Sequence, residues 1–254
     1  MLRIDLTGCR AVVTGGARGI GAGIVRTFVD AGARVAFSHL DIIDDVEAAE
    51  ALTRQLGADR VRAFVAPSQD AQRTNRFVAE AAEWLSGINA VVCNAGYNSV
   101  FPLEEIPDEE WRLVYSINTE GTYYTVRAAI PYLKLNARSS IILIGSSTAY
   151  TGTSGAHYAS SKAALEGLLR AMVKELTPQG IRCNMIHPSV VDTPMMRRRT
   201  PDPEEWAKIV RTVPVGRLGL PEDTAYLAAF LCSSLGEFIV GQSILVDGGR
   251  TFGR

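Results

Sequence analysis

Arg10-Ala11-Val12-Val13-Thr14-Gly15-Gly16-Ala17-Arg18-Gly19-Ile20-Gly21 carries the chain from a short apolar strand, Arg10 to Thr14, through a glycine-rich turn into a helix over Ile20 to Ala31 that Gly32 closes. Glycines let the backbone bend sharply and let phosphate oxygens approach N–H groups at a helix N-terminus. By itself such a cluster is equally a structural turn. Between a strand and a helix, with a second strand at Arg34 to Ser38, it sits in the βαβ context that dinucleotide binding requires. No Gly-Lys-Ser/Thr closes the turn, which disfavours a phosphate-hydrolysing loop.

The same alternation continues outward. Helical patterns over Asp44 to Leu56, Ala71 to Leu85, Glu109 to Leu135, His157 to Leu176 and Pro221 to Leu231 are interleaved with strands at Val61 to Ala66, Ala90 to Cys93, Ser140 to Ile144, Arg182 to Ile186 and Ser243 to Val246. Near-continuous apolar strands separated by helices imply a parallel sheet covered on both faces. No linker, charge block or solenoid repeat interrupts residues 1–254. The expected fold is therefore α/β: one Rossmann-like, doubly wound domain with a parallel seven-stranded sheet.

Of the 254 residues, 47% are hydrophobic and 21% charged, and the formal net charge is -1. That balance points to no nucleic-acid partner and no anionic membrane surface. Cys9, Cys93, Cys183 and Cys232 are scattered in apolar strings, as buried thiols of a reducing compartment would be. The N-terminus shows no charged start followed by a long apolar run, so a cytoplasmic location is expected. His39, His157 and His187 lie in separate segments without carboxylates at ligand spacing, so no metal is expected.

Tyr158-Ala159-Ser160-Ser161-Lys162 lies in the fifth helical pattern. Residues four apart share a helix face, so phenol and ammonium can point into one cleft, where a fixed positive charge favours phenolate. Upstream stand Asn94-Ala95-Gly96 after the fourth strand, Asn118-Thr119-Glu120-Gly121, and Ile144-Gly145-Ser146-Ser147 after the fifth. With Thr14 to Gly21 matching TGxxxGxG and Tyr158/Lys162 matching YxxxK, the chain resembles the short-chain dehydrogenase/reductase family over nearly its whole length.

The resemblance implies a nicotinamide-dependent oxidoreductase interconverting a secondary alcohol and a ketone, with Asn118, Ser146, Tyr158 and Lys162 as its catalytic set. Tyr158 would move the proton, Ser146 would donate to the substrate oxygen, Lys162 would lower the Tyr158 pKa and hold ribose hydroxyls, and Asn118 would anchor a proton-relaying water. Ser146 stands twelve residues before Tyr158 where thirteen is usual, so Ser147 remains the alternative. Gly15, Arg18, Gly19, Ile20, Gly21, Ser38, His39, Asn94, Ala95 and Gly96, with Tyr158 and Lys162, are expected to bind the cofactor. So are Pro188, Val191 and Thr193 of His187-Pro188-Ser189-Val190-Val191-Asp192-Thr193-Pro194, which resembles the family's NPGxxxTP with serine for its glycine. A non-catalytic NAD(P)H-binding sensor or scaffold is the competing class, but binding alone would not demand all four catalytic residues.

His39 occupies the place at the end of the second strand where NAD-preferring relatives carry aspartate. With Ser38 beside it and Arg18 able to pair with a 2′-phosphate, the expectation favours NADP over NAD. Many relatives also carry an aspartate near the adenine, where this chain has Val65-Ala66-Pro67-Ser68; Asp70 is the one substitute in reach. Residues 194–214 read as a substrate lid, with Met195 and Met196, the run Arg197-Arg198-Arg199, and Trp206. Ser146, Ser147, Tyr150, His157 and Tyr158 are the expected substrate contacts. Their polarity, with that of Tyr97 and Asn98, favours a sugar, polyol or sugar acid, and a 3-oxoacyl thioester is the alternative. The resemblance further implies a homotetramer, or a homodimer as the smaller alternative, through the helices carrying Asn118 and Tyr158 and the segment at Gly248-Gly249-Arg250.

Overall fold

The computed structural model describes residues 3–253. Seven parallel strands form one sheet: β1 (Arg10–Val13), β2 (Arg34–His39), β3 (Val61–Val65), β4 (Ala90–Cys93), β5 (Ser139–Ile144), β6 (Ile181–Pro188) and β7 (Ser243–Val246). Their order is β3-β2-β1-β4-β5-β6-β7. The helices are α1 (Gly19–Asp30), α2 (Ile43–Leu56), α3 (Ala71–Leu85), α4 (Asp108–Tyr115), α5 (Gly121–Leu133), α6 (Thr148–Thr151), α7 (Ala156–Leu176), α8 (Pro194–Arg199), α9 (Pro203–Arg211) and α10 (Pro221–Cys232). The doubly wound sheet expected from the sequence is the one observed.

Alternation along the strands divides the core in two. Ala11, Val13, Ile142 and Ile144 face α1, α2 and α10, packing on Ile24, Phe28, Leu52 and Ala228. Val12, Ile141 and Leu143 face α3, α5 and α7, packing on Phe77, Leu133, Leu165 and Leu169. Both faces are thus apolar, which is why these strands read as unbroken hydrophobic runs. Gly23 lets α1 lie directly on α10, since a Cβ there would fall 2.7 Å from the Pro221 Cβ.

The chain reverses its winding between β1 and β4, and the carboxyl ends of these strands open a crevice at that switch point, where ligands of such sheets bind. The helix expected from Glu109 to Leu135 is divided: α4 and α5 are joined by a π-helical turn, Ser116–Glu120, with buried Asn118 inside it. Its cause is tertiary. The Asn118 Oδ1 accepts the Tyr97 N–H at 2.8 Å, and its Nδ2 donates to Tyr97 O and Ser161 Oγ, both at 3.0 Å.

Candidate active site

The floor of the crevice is a backbone clamp between β1 and β4. Thr14 Oγ1 accepts the N–H groups of Asn94 and Ala95, each at 3.0 Å, and Asn94 Nδ2 donates back to the carbonyls of Thr14 and Gly15. Gly15 and Gly19 take the left-handed conformation, with φ of 63° and 55°. A side chain at Gly21 would put its Cβ 2.1 Å from the Gly15 carbonyl oxygen. No side chain caps α1, so its first N–H groups face the crevice as phosphate donors. The cleft of about 490 Å³ is lined by Gly15, Arg18 to Gly21, Ser38, His39, Asn94 to Asn98, Ser146, Tyr158, Lys162, Pro188 and Thr193, among others. Its shape and donors fit an extended dinucleotide.

At the inner end the expected catalytic residues converge. Thr148 N–H and Oγ1 donate to Ser146 Oγ at 3.2 and 2.8 Å, which fills its acceptor sites and leaves its own proton to be donated. Ser147 is buried, and its side chain does not line the cleft. Tyr158 lies within the cleft wall, where burial pushes its phenol above the usual value against the lowering effect of the Ser146 hydroxyl and, less, of the Arg199 guanidinium. The expected depression by Lys162 is therefore corrected. The Lys162 ammonium is buried and donates to the Ile144 carbonyl at 3.0 Å, and burial lowers its own pKa from 10.5 to about 8.

A Cβ on Gly96 would lie 3.2 Å from both Lys162 Nζ and Asn118 Oδ1, so a side chain here would crowd both polar groups. Asn118 itself is wholly buried and does not line the cleft. Ser161, which sequence reasoning passed over, joins the set: its hydroxyl donates to the Tyr158 carbonyl at 2.8 Å while accepting from Asn118.

Other expected contacts fall elsewhere. Tyr150 is half-exposed, and its hydroxyl donates to Glu166 at 3.2 Å outside the cleft. His157 is fully buried with Nε2 on Ser99 Oγ at 2.9 Å, and burial lowers its pKa, with Glu110 opposing. Val191 is buried in a bridge to Gly219. Thr193 does line the cleft, and its hydroxyl caps Met196 N–H. Asp70 does not reach the adenine end, because its carboxylate caps α3 by accepting from Gln72 and Arg73. Serine at 189 causes no strain, as it has no positive φ.

Arg18, expected to be able to pair with a 2′-phosphate, already faces carboxylates. It pairs with Asp44 at 3.2 Å and also with Asp45, and Arg198 from α8 reaches Asp44 at 3.6 Å. Arg197 is held by Asp192, at 2.6 and 2.7 Å. The three arginines of α8 thus have separate surroundings: Asp192 for Arg197, the cleft edge for Arg198, and the neighbourhood of Tyr158 for Arg199. Ser38 Oγ accepts the Gly15 N–H at 3.2 Å, and His39 Nδ1 lies 2.9 Å from the Leu40 carbonyl. Among the described residues no cluster of histidine, cysteine, aspartate and glutamate could hold a metal ion, and no helix is long and apolar enough to cross a membrane.

The sequence profile of a family described as enoyl-(acyl carrier protein) reductase matches residues 15–251. The chain is 33% identical to an L-rhamnose 1-dehydrogenase (NAD(P)(+)) of Azotobacter vinelandii, covering 98% of both chains. It is 34% identical to the 3-oxoacyl-[acyl-carrier-protein] reductase FabG of Chlamydia pneumoniae, covering 98% of this chain and 99% of that one. Among solved structures it resembles a blue fluorescent protein from a metagenomic library in complex with NADPH, with a TM-score of 0.89 and 33% identity over 97% of this chain and 99% of that one.

Proposed function

Because the chain belongs to the short-chain dehydrogenase/reductase family, and so is an NAD(P)-dependent oxidoreductase acting on CH–OH and C=O groups, we propose that its substrate is a polar secondary alcohol or ketone of the sugar, polyol or sugar-acid type. One observation carries this reading. The side-chain oxygen of Asn98 is buried in the cleft wall without a hydrogen-bond partner. A buried acceptor left unsatisfied costs about 1–3 kcal/mol, and turning the Asn98 amide into the cleft that it lines, toward a substrate hydroxyl, would recover that cost. Arg198 in the lining and Arg199 acting on Tyr158 would favour a carboxylate on the same molecule.

The bound nicotinamide supplies or accepts the hydride. The protein's part is to hold the substrate oxygen and manage its proton. Ser146 donates a hydrogen bond to the oxygen as charge develops there, and Tyr158 delivers the proton in reduction or removes it in oxidation. A phenol held above its usual pKa is fully protonated at neutral pH, the form reduction needs. Lys162 would hold ribose hydroxyls, and Asn118 would keep the π-helical turn and Tyr97 in register.

NADP is the preferred cofactor in this reading, because no carboxylate side chain ends β2 and two guanidinium groups, Arg18 and Arg198, share Asp44 at that edge. Residues 194–214, built as α8 and α9, act as the substrate lid. A cytoplasmic homotetramer completes the proposal, supported by exposed Trp111, Leu113 and Tyr123 on α4 and α5 and by exposed Phe238 and Phe252 near the C-terminus. A 3-oxoacyl thioester is the second reading, favoured by Ile117 and Met195 in the lining and by the likeness to FabG.

The test is NAD(P)H oxidation and NAD(P) reduction with sugars, sugar acids, polyols and 3-oxoacyl esters. Turnover of sugar-type substrates that Tyr158→Phe abolishes, with cofactor still bound, supports the proposal. Turnover of 3-oxoacyl esters alone overturns the substrate class, and an active Tyr158→Phe overturns the mechanism.

A further inference from the structure

Behind Ser146 lies a buried imidazole that the mechanism above leaves unused. His187, near the end of β6, is fully buried and stands where the resembling NPGxxxTP turn has asparagine. Its Nδ1 is 3.2 Å from the Ser146 backbone nitrogen and 2.9 Å from the Ser146 carbonyl oxygen. Its Nε2 is 2.9 Å from Glu166 Oε1 on α7. Gly145 makes room for the ring, because a Cβ there would lie 2.6 Å from Nδ1. The Tyr150 ring meets the imidazole edge-on at 5.0 Å.

Two observations bear on which ring nitrogen carries the proton. Burial pushes the Glu166 carboxyl up, yet hydrogen bonds from Ser243, His187 and Tyr150 outweigh it and leave Glu166 below its ordinary value. Glu166 is therefore an ionised acceptor, and Nε2 must carry the proton that faces it. On the other side, the β5–β6 ladder takes the N–H groups of Gly145 (to Ile186 O, 2.8 Å) and Ser147 (to Pro188 O, 2.9 Å) but passes over Ser146. Among the described residues the Ser146 N–H has only His187 Nδ1 as partner, whereas the Ser146 carbonyl already accepts from Ala149 at 3.1 Å. A ring carrying its proton on Nε2 gives Glu166 its donor and the Ser146 N–H its acceptor, and it sets the bare Nδ1 2.9 Å from the Ser146 carbonyl oxygen.

We propose that His187 and Glu166 form a positioning pair for Ser146. The carboxylate holds the ring in its Nε2–H form, the bare Nδ1 takes the Ser146 amide, and the hydroxyl of Ser146 is thereby aimed at the substrate oxygen. The pair acts through Ser146 and touches neither substrate nor cofactor. Ser243 Oγ of β7, donating to Glu166 at 2.7 Å, ties the last strand into the same support. The inference rests on the reading of Ser146 as donor to the substrate oxygen.

The experiment compares wild type with His187→Ala, His187→Asn and Glu166→Gln. Each is measured for kcat and KM on the best carbonyl substrate, NADPH affinity by fluorescence and thermal midpoint, and wild type is examined by two-bond ¹H–¹⁵N spectra of ¹⁵N-histidine protein. With three histidines in the chain, the signal missing from His187→Asn identifies His187. His187→Ala is expected to lower kcat about tenfold with KM and NADPH affinity unchanged, the loss of one buried hydrogen bond from the transition state. Asparagine places an amide oxygen near the Nδ1 position, so His187→Asn recovers most of the rate, and Glu166→Gln loses about threefold.

A His187→Ala kcat within twofold of wild type overturns the proposal. So do equal losses in the alanine and asparagine variants that track NADPH affinity and thermal midpoint, the pattern of mere packing. The spectrum decides independently of turnover: a His187 signal protonated on Nδ1 refutes the pair even if wild type reduces sugars. An Nε2–H signal supports the geometry even if no carbonyl is reduced and the functional reading fails.

Discussion

Lys162→Met, in the cofactor-free protein, is expected to abolish turnover and yet raise stability at neutral pH. Burial lowers the Lys162 pKa from 10.5 to about 8, and each unit of difference between folded and unfolded states is worth ~1.4 kcal/mol. Keeping the ammonium charged inside the fold therefore costs about 3 kcal/mol below the folded pKa. Methionine fills a similar volume without charge, but it gives up the 3.0 Å hydrogen bond to Ile144, worth about 1 kcal/mol. The net gain is about 2 kcal/mol near neutrality.

The sign depends on pH. Between about 8 and 10.5 the unfolded chain holds the lysine proton and the folded chain does not, so wild type gains stability as pH rises through that window. The advantage of the variant should shrink to nothing near the top of the window and then reverse by about 1 kcal/mol, the hydrogen bond alone. Urea unfolding followed by tryptophan fluorescence at about pH 7, 8.5 and 10 reads the difference, with all other titrating groups common to both proteins. A difference that is constant with pH, or a variant already weaker at neutrality, would refute the claim that the ammonium is held at a desolvation cost.

Two further outcomes probe the cofactor end. His39→Asp puts a carboxylate at the end of β2 beside Ser38 and should shift the NADPH-to-NADH affinity ratio about tenfold toward NADH, some 1.4 kcal/mol of repulsion on a 2′-phosphate; fluorescence titration of both cofactors measures it, and an unchanged ratio would remove β2 from the discrimination. Gly21→Ala would force its Cβ against the Gly15 carbonyl, 2.1 Å away, and against Asn94 Nδ2, 2.6 Å away. It should lose NADPH binding and at least about 2 kcal/mol of stability, readable by titration and thermal melt, and normal binding would show that the turn relaxes.

What was legible in the chain followed from local rules. β4 begins and ends where its apolar run does, because a strand buried on both faces can carry little else, and the half-buried edge strand β7 keeps the expected bounds Ser243–Val246. The glycine turn was equally readable, since glycine takes the left-handed angles of Gly15 and Gly19 at the least steric cost and leaves room at Gly21. The division of the Asn118 helix was not legible, because the π-helical turn is set by bonds to Tyr97 and Ser161, residues distant in sequence. Nor was the state of Arg18, whose charge looked available until Asp44 and Asp45 were found against it.

The sequence by itself determined the doubly wound sheet, the dinucleotide turn and the spacing that sets Tyr158 and Lys162 on one helix face. Periodicity and glycine placement are encoded within a few neighbouring residues. Only the tertiary structure decided that Ser146 rather than Ser147 faces the cleft, that Lys162 meets Ile144 and leaves Tyr158 raised, and that His187 and Glu166 stand behind the serine. Those outcomes depend on which side chains from separate strands and helices share a buried space. Desolvation and hydrogen-bond satisfaction act through space and leave no period in the chain.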